Sequence, residues 1–114
     1  MELNRFENLP EFKMSENVSR KLLAYCSGEF GYTVNLMKAA AGNGAPPHSH
    51  RHLQVVYVVE GEGEFNTGSE NKVIKAGDVV EIGANVPHTF NSFAKDTVWL
   101  EFFTPEREDF SPNK

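Results

Sequence analysis

The sequence predicts an all-β domain, a small sandwich or barrel, on three observations. Its apolar runs are short and rich in Val, Tyr and Phe; each is bounded by Gly, Asn, Asp or Pro; and no long amphipathic helical stretch lies between them. Residues 1–15 mix Asn, Glu, Pro and Phe without periodicity and read as an N-terminal arm, and a short helix is compatible with residues 15–21. The runs "SRKLLAYCS" and "GYTVNLMKAA" form one hairpin, because the two glycines of the intervening "GEFG" supply the positive φ that a tight turn needs. In "AAAGNGAPP" the Gly and Pro content argues against a continued ladder and delivers the chain extended to His48. Further strands are expected at "LQVVYVVEG", "GEFNTG", "NKVIKAG", "DVVEIG", "HTFNSF" and "TVWLEFF". The division is an arm over 1–15, a barrel over 16–104 and a tail over 105–114.

Composition restricts the partners. A chain of 114 residues holds one core and leaves no room for a separate cofactor domain. Its net charge of −5, with 11 basic against 16 acidic residues and no basic cluster longer than Arg20-Lys21, gives no nucleic-acid footprint. Small molecules are the expected partners. The acidic start "MELNRFENLPEF" does not read as a signal peptide, no stretch reaches transmembrane length, and the single cysteine, Cys26, excludes an internal disulfide. A cytoplasmic location and no membrane contact are the expectations.

The segment "PPHSHRHLQVVYVV" raises the functional question. His48, His50, His52 and Gln54 share one parity, and in an extended chain they share a face with Val56 and Val58. Val55, Tyr57 and Val59 form the opposite face, so both faces are apolar and the outer one needs a cover. Either the arm or a second copy of the chain supplies it; the size of the surface favours a homodimer. Histidine is a poor strand-core residue and a preferred ligand of divalent transition metals, and two imidazoles at i and i+2 reach one ion. Alone, His-x-His recurs by chance and is compatible with a polar loop.

The wider spacing is more specific. Gly42, five residues, His48, one, His50, three, Gln54, six and Gly61 resembles the first cupin motif, and Gly77 followed by His88 in "AGDVVEIGANVPHTF" resembles the second. The resemblance implies a double-stranded β-helix or jelly-roll barrel, with His48, His50, Gln54 and His88 holding one divalent ion. His52 competes for the fourth position, but Gln54 has the family spacing, so His52 is expected to be exposed or to support the ligands from behind. Two departures stand out: Gln54 replaces the usual Glu, and Gly83-Ala84-Asn85 replaces Pro-x-Gly. Neutral ligands leave the ion its full charge, which attracts an anion and keeps a strong Lewis acid. Imidazole suits Zn, Ni, Fe, Co, Mn and Cu alike, so the metal is not chosen by the sequence.

In "TVWLEFFTPEREDF", Thr97, Trp99, Glu101 and Phe103 share one face. Glu101 either serves a purpose inside or reaches water at a sheet edge; Arg107 either turns back as a carboxylate clamp or is a solvated member of a charge run. Together "HSHRHLQ" and "EFFTPEREDF" resemble the pectin-degradation cupins of the KdgF type. In that family three His and one Gln hold the metal, and an acidic residue, commonly Asp, lines the substrate site with a Phe and an Arg. By position these are Glu101, Phe103 and Arg107. The resemblance implies conversion of 4,5-unsaturated monouronates, from pectin or alginate breakdown, to open-chain 5-keto-4-deoxyuronate, with no redox cofactor. A cupin dioxygenase and a non-catalytic sugar or anion binder are the alternatives from other classes.

Overall fold

A computed structural model describes residues 1–112 and shows ten strands in two sheets. Strands β1 (Glu11–Lys13), β2 (Val18–Cys26), β3 (Tyr32–Ala39), β5 (Leu53–Glu60), β8 (Val79–Ile82) and β10 (Thr97–Thr104) form the larger sheet in the order β1-β2-β3-β10-β5-β8. Strands β4 (Gly42–Asn43), β6 (Glu62–Asn66), β7 (Asn71–Lys75) and β9 (Thr89–Phe93) form the smaller one in the order β4-β9-β6-β7. Every pairing is antiparallel. The two sheets face each other as a jelly-roll sandwich, with the apolar side of each turned inward.

Alternation decides what enters the core. On β5, Gln54, Val56 and Val58 are buried while Tyr57 and Val59 are exposed, which is the expected parity. Met37, Val58 and Trp99 of the large sheet meet Phe65, Ile74, Phe90 and Phe93 of the small one. Phe90 lies 4.6 Å from the Trp99 ring and Phe93 stacks on it at 5.4 Å. Phe93→Ala is therefore expected to destabilise the metal-free protein by about 3–5 kcal/mol in urea unfolding. A loss below 1 kcal/mol would show that the aromatic cluster is not a closed core.

Three local expectations change. Residues 15–21 are not helical, because β2 begins at Val18 and pairs with β3. The arm contributes β1, which extends the large sheet by pairing Phe12 with Arg20. "GNGA" does not leave the ladder: β4 pairs with β9, and Gly44 and Ala45 continue by donating to the Asn91 and Phe90 carbonyls at 2.9 and 3.0 Å. A Cβ on Gly44 would collide with the Phe90 carbonyl, so only glycine permits this approach.

On the outer face of the large sheet, Leu53, Tyr57, Val59, Val79 and Phe102 are all at least 39% exposed. The arm runs along β2 instead, with Asn4 bonded to the Leu23 carbonyl and Lys21 over the Phe6 ring. It does not cover that face. No helix among the described residues is long and apolar enough to cross a membrane.

Candidate metal centre and its cavity

The histidines are brought together by two chain segments. His48 and His88 form an antiparallel bridge, each backbone N–H donating to the other's carbonyl at 3.2 and 2.9 Å. This bridge prolongs the β4–β9 contact that Gly44 permits. The turn before His88 has Asn85 at φ 63°, where the related motif carries glycine; Asn tolerates this left-handed position, and its N–H donates to the His50 carbonyl at 2.7 Å. One ligand loop thus holds the other.

The ligand atoms of His48, His50 and His88 all lie within 4.8 Å of one another. Bonds of about 2.1 Å to one ion put opposite ligands about 4.2 Å apart, so a modest contraction closes the set. The tautomer of His88 agrees with this use. His88 Nδ1 donates to the Val86 carbonyl at 2.8 Å, and its Nε2 is buried without a hydrogen-bond partner among the described residues. His50 Nδ1 lies 3.2 Å from the His52 carbonyl, while its Nε2 faces Gln54 Oε1 at 3.0 Å. With its one proton on Nδ1, that ring and the amide oxygen present two acceptors to each other, an arrangement that a cation between them satisfies. The three histidines are positioned to bind a metal ion.

Electrostatics keeps the rings neutral. Partial burial, then the neighbouring His88, His50 and Arg107, lower the His48 pKa from 6.5 to about 4, although the residue as a whole is exposed. His50 and His88 are also lowered, first by burial and further by Arg107. Neutral imidazole is the form that ligates.

Parity fails at His52. The chain bends at Arg51 and His52, so β5 starts only at Leu53, and His52 stays outside the set of His48, His50 and His88 although its ring lies 5.4 Å from that of His50. It is 6% exposed, and its Nε2 donates to the Glu106 carbonyl at 3.1 Å. Of the two expectations for His52, exposure or support from behind the ligands, exposure is corrected: His52 is buried, ties the tail to the ligand loop, and places its own carbonyl against His50.

A cavity of about 390 Å³ opens beside the histidines, lined among others by Gln54, Glu101, Phe103, Arg107 and Phe110. A wider, shallower groove of about 790 Å³ lies away from them, along β1, β2 and Lys38, and holds none of the four histidines.

Glu101 has no route to water at a sheet edge, because β10 lies between β3 and β5 and pairs Glu101 with Asn35 and Val56. Its side chain points inward, reached by solvent only through the cavity, and accepts a bond from Trp99 Nε1 at 2.9 Å. Burial raises its pKa above 4.5, opposed by the indole bond, Arg107, Asn35 and Arg20. Asn35, 0% exposed, lies near enough to favour the carboxylate, yet neither of its amide atoms reaches hydrogen-bonding geometry.

Arg107 is not a solvated member of a charge run. Its side chain is 14% exposed, its backbone N–H donates to Thr33 Oγ1 at 2.8 Å, and its guanidinium lies 5.0 Å from the Phe103 ring. Sequence reasoning missed Arg20, which sits on the inward face of β2 at 6% exposure between Phe12 and Phe110. Its alternation with Val18 and Leu22 was the available signal. Asp109, paired with Arg107 and lining the cavity, was missed too.

The chain is 28% identical over 105 residues to the pectin degradation protein KdgF of Dickeya dadantii, covering 91% of this chain and 93% of that one. It is 35% identical over 80 residues to an L-ectoine synthase of Halalkalibacterium halodurans, covering 68% of this chain and 61% of that one. Among solved structures, an RmlC-like cupin from Shewanella frigidimarina superposes with a TM-score of 0.87 at 27% identity, over 97% of this chain and 96% of that one. Residues 35–103 match the Cupin_2 family, the cupin domain. Fold, paired motifs and histidine cluster meet in that span, and the chain belongs to the Cupin_2 family of cupin domains.

Proposed function

We propose that the protein is a metal-dependent enzyme that opens 4,5-unsaturated monouronates to 5-keto-4-deoxyuronate. The observation that carries this reading is one cavity lined by two of the three converging histidines, His48 and His88, together with an inward carboxylate and a largely buried arginine. The likeness to a pectin degradation protein over nearly the whole chain supports it.

His48, His50, His88 and Gln54 would hold the ion. A divalent metal held there would supply Lewis acidity toward a substrate oxygen. Arg107 fixes the uronate carboxylate, which orients the ring against Glu101. Glu101 accepts the proton of the anomeric hydroxyl as the C1–O5 bond breaks, and returns a proton to C4 as the enol becomes a ketone. Atoms balance without an oxidant, since reactant and product are isomers. Its raised pKa suits a group that must both take and give a proton. The Phe103 ring, 5.5 Å from His50, walls the site and excludes water.

Fresh unsaturated monouronate, followed by NMR, should lose its vinyl proton and yield the open-chain ketone when the protein is added. Oxygen consumption without that product would instead select a dioxygenase, and binding without change a sugar-binding protein. The likeness to L-ectoine synthases favours one further test, ectoine formation, which this reading expects to be absent.

The exposed face of Leu53, Tyr57, Val59, Val79 and Phe102 is proposed as a homodimer interface, since an apolar patch of this kind is stabilised by burial. Sedimentation should show a dimer at micromolar concentration that Tyr57→Lys dissociates; a monomeric parent would refute the interface.

A further inference from the structure

Two arginines stand against Phe110 at the tail, Arg107 lining the cavity and Arg20 outside its lining, and of the two only Arg107 has an ion-pair partner among the described residues. Arg107 closes Nε and Nη2 on the Asp109 carboxylate at 3.0 and 2.8 Å. That planar two-point grip is what guanidinium offers to any carboxylate. Asp109 therefore occupies the fork that a uronate would use. Arg20 shows the reverse. It is 6% exposed, its guanidinium lies 4.6 Å from the Phe12 ring and 4.2 Å from Phe110, and its Nε and Nη1 are buried with no acceptor among the described residues.

Charged donors buried without an acceptor are costly, so Arg20 has an unmet demand for an oxygen. The negative groups that act on it are Glu101 and Asp109, and neither is ion-paired with it among the described residues. Glu101 is fixed by Trp99 on a central strand. Asp109 is not so held. It lies in a single 3-10 turn, Glu108–Phe110, with its side chain 55% exposed. The next residue, Phe110, is shared by both guanidinium groups, at 4.2 Å from Arg20 and 4.4 Å from Arg107. The turn that carries Asp109 thus lies against both arginines, and Asp109 acts electrostatically on Arg20 while it is paired with Arg107.

We propose that Asp109 is an internal stand-in for the ligand's carboxylate: it holds the Arg107 fork in the free protein, an incoming carboxylate displaces it, and Arg20 receives it. This rests on Arg107 being the carboxylate-binding residue of the proposed function. Asp109 then determines specificity, because a neutral sugar brings nothing that exchanges with it, whereas a uronate replaces one carboxylate by another. Arg20 is a positioning residue that makes the exchange nearly even.

The test is calorimetric binding of D-galacturonate, which has the carboxylate but no 4,5 double bond, to the full chain at matched metal content. Asp109→Asn should bind it roughly three- to tenfold more tightly than the parent, since a half-exposed but bidentate pair no longer competes. Arg20→Gln should weaken binding in the parent and leave it unchanged in the Asp109→Asn background. Melting curves on each variant show that the fold persists. Equal or weaker binding by Asp109→Asn, or no binding by either protein, overturns the proposal. Equal weakening by Arg20→Gln in both backgrounds also overturns it, by reducing Arg20 to a prop for the tail. Loss of uronate turnover in the parent with the Asp109→Asn gain intact would instead reject the proposed reaction and uphold the exchange.

Discussion

His88→Ala is expected to lose its metal and all measurable turnover while keeping the all-β circular dichroism spectrum, and His48→Ala to do the same. His88 Nε2 is the clearest ligand atom, because the Nδ1 bond to Val86 fixes the tautomer and no donor among the described residues meets Nε2. Removing one of three imidazoles leaves too few donors to retain an ion through dialysis. The fold should survive, since the His48–His88 bridge is made by backbone groups and the aromatic core lies in Phe90, Phe93 and Trp99. The pH sign follows from the lowered pKa values. Below about pH 6.5 an unfolded chain takes up protons that the folded rings refuse, so the metal-free parent loses stability as pH falls, and each alanine variant loses less. Metal at parental stoichiometry in both variants would reject the ligand assignment.

Glu101→Gln is expected to bind uronate and metal normally yet lower kcat by about 10² to 10⁴, whereas Arg107→Lys should raise KM as well as lower kcat. Gln keeps the length of Glu and its bond from the Trp99 indole but accepts no proton. Lys keeps the charge of Arg107 but loses the fork, so the carboxylate is held at one point and the ring is misoriented. The pH profile separates chemistry from shape. Because burial raises the Glu101 pKa, the acid limb of kcat/KM should lie above the usual carboxylate range, and it should vanish in Glu101→Gln. Parental rates in both variants would show that neither residue takes part.

Most of this architecture is readable from local pattern. Gln54, Val56 and Val58 alternate with Val55, Tyr57 and Val59, and the glycines and prolines between runs mark strand ends, so strand positions and the inward face follow from periodicity. Strand order does not follow. That β10 lies between β3 and β5 is set by pairings across the chain, and only this order turns Glu101 from a residue able to reach water into a walled one. His52 shows a second limit, since a bend at Arg51 and His52 breaks the parity that would have placed it with the other histidines. Arg20 shows a third: a charged residue on an apolar face reads as an exception until Phe12 and Phe110, from opposite ends of the chain, close over it.

The central claim, that the histidine-held metal and the cavity beside it open unsaturated uronates, is tested most directly by one titration. Metal-free protein is loaded stepwise with a divalent ion, and each sample is given fresh 4,5-unsaturated monouronate while the absorbance of its double bond is followed. Without metal, no loss above the spontaneous rate is expected; with metal, the rate should rise in proportion to metal bound up to one ion per chain, and none of this should occur in His88→Ala. Absorbance that falls equally fast with and without metal, or that stays constant in the fully loaded protein, would contradict it.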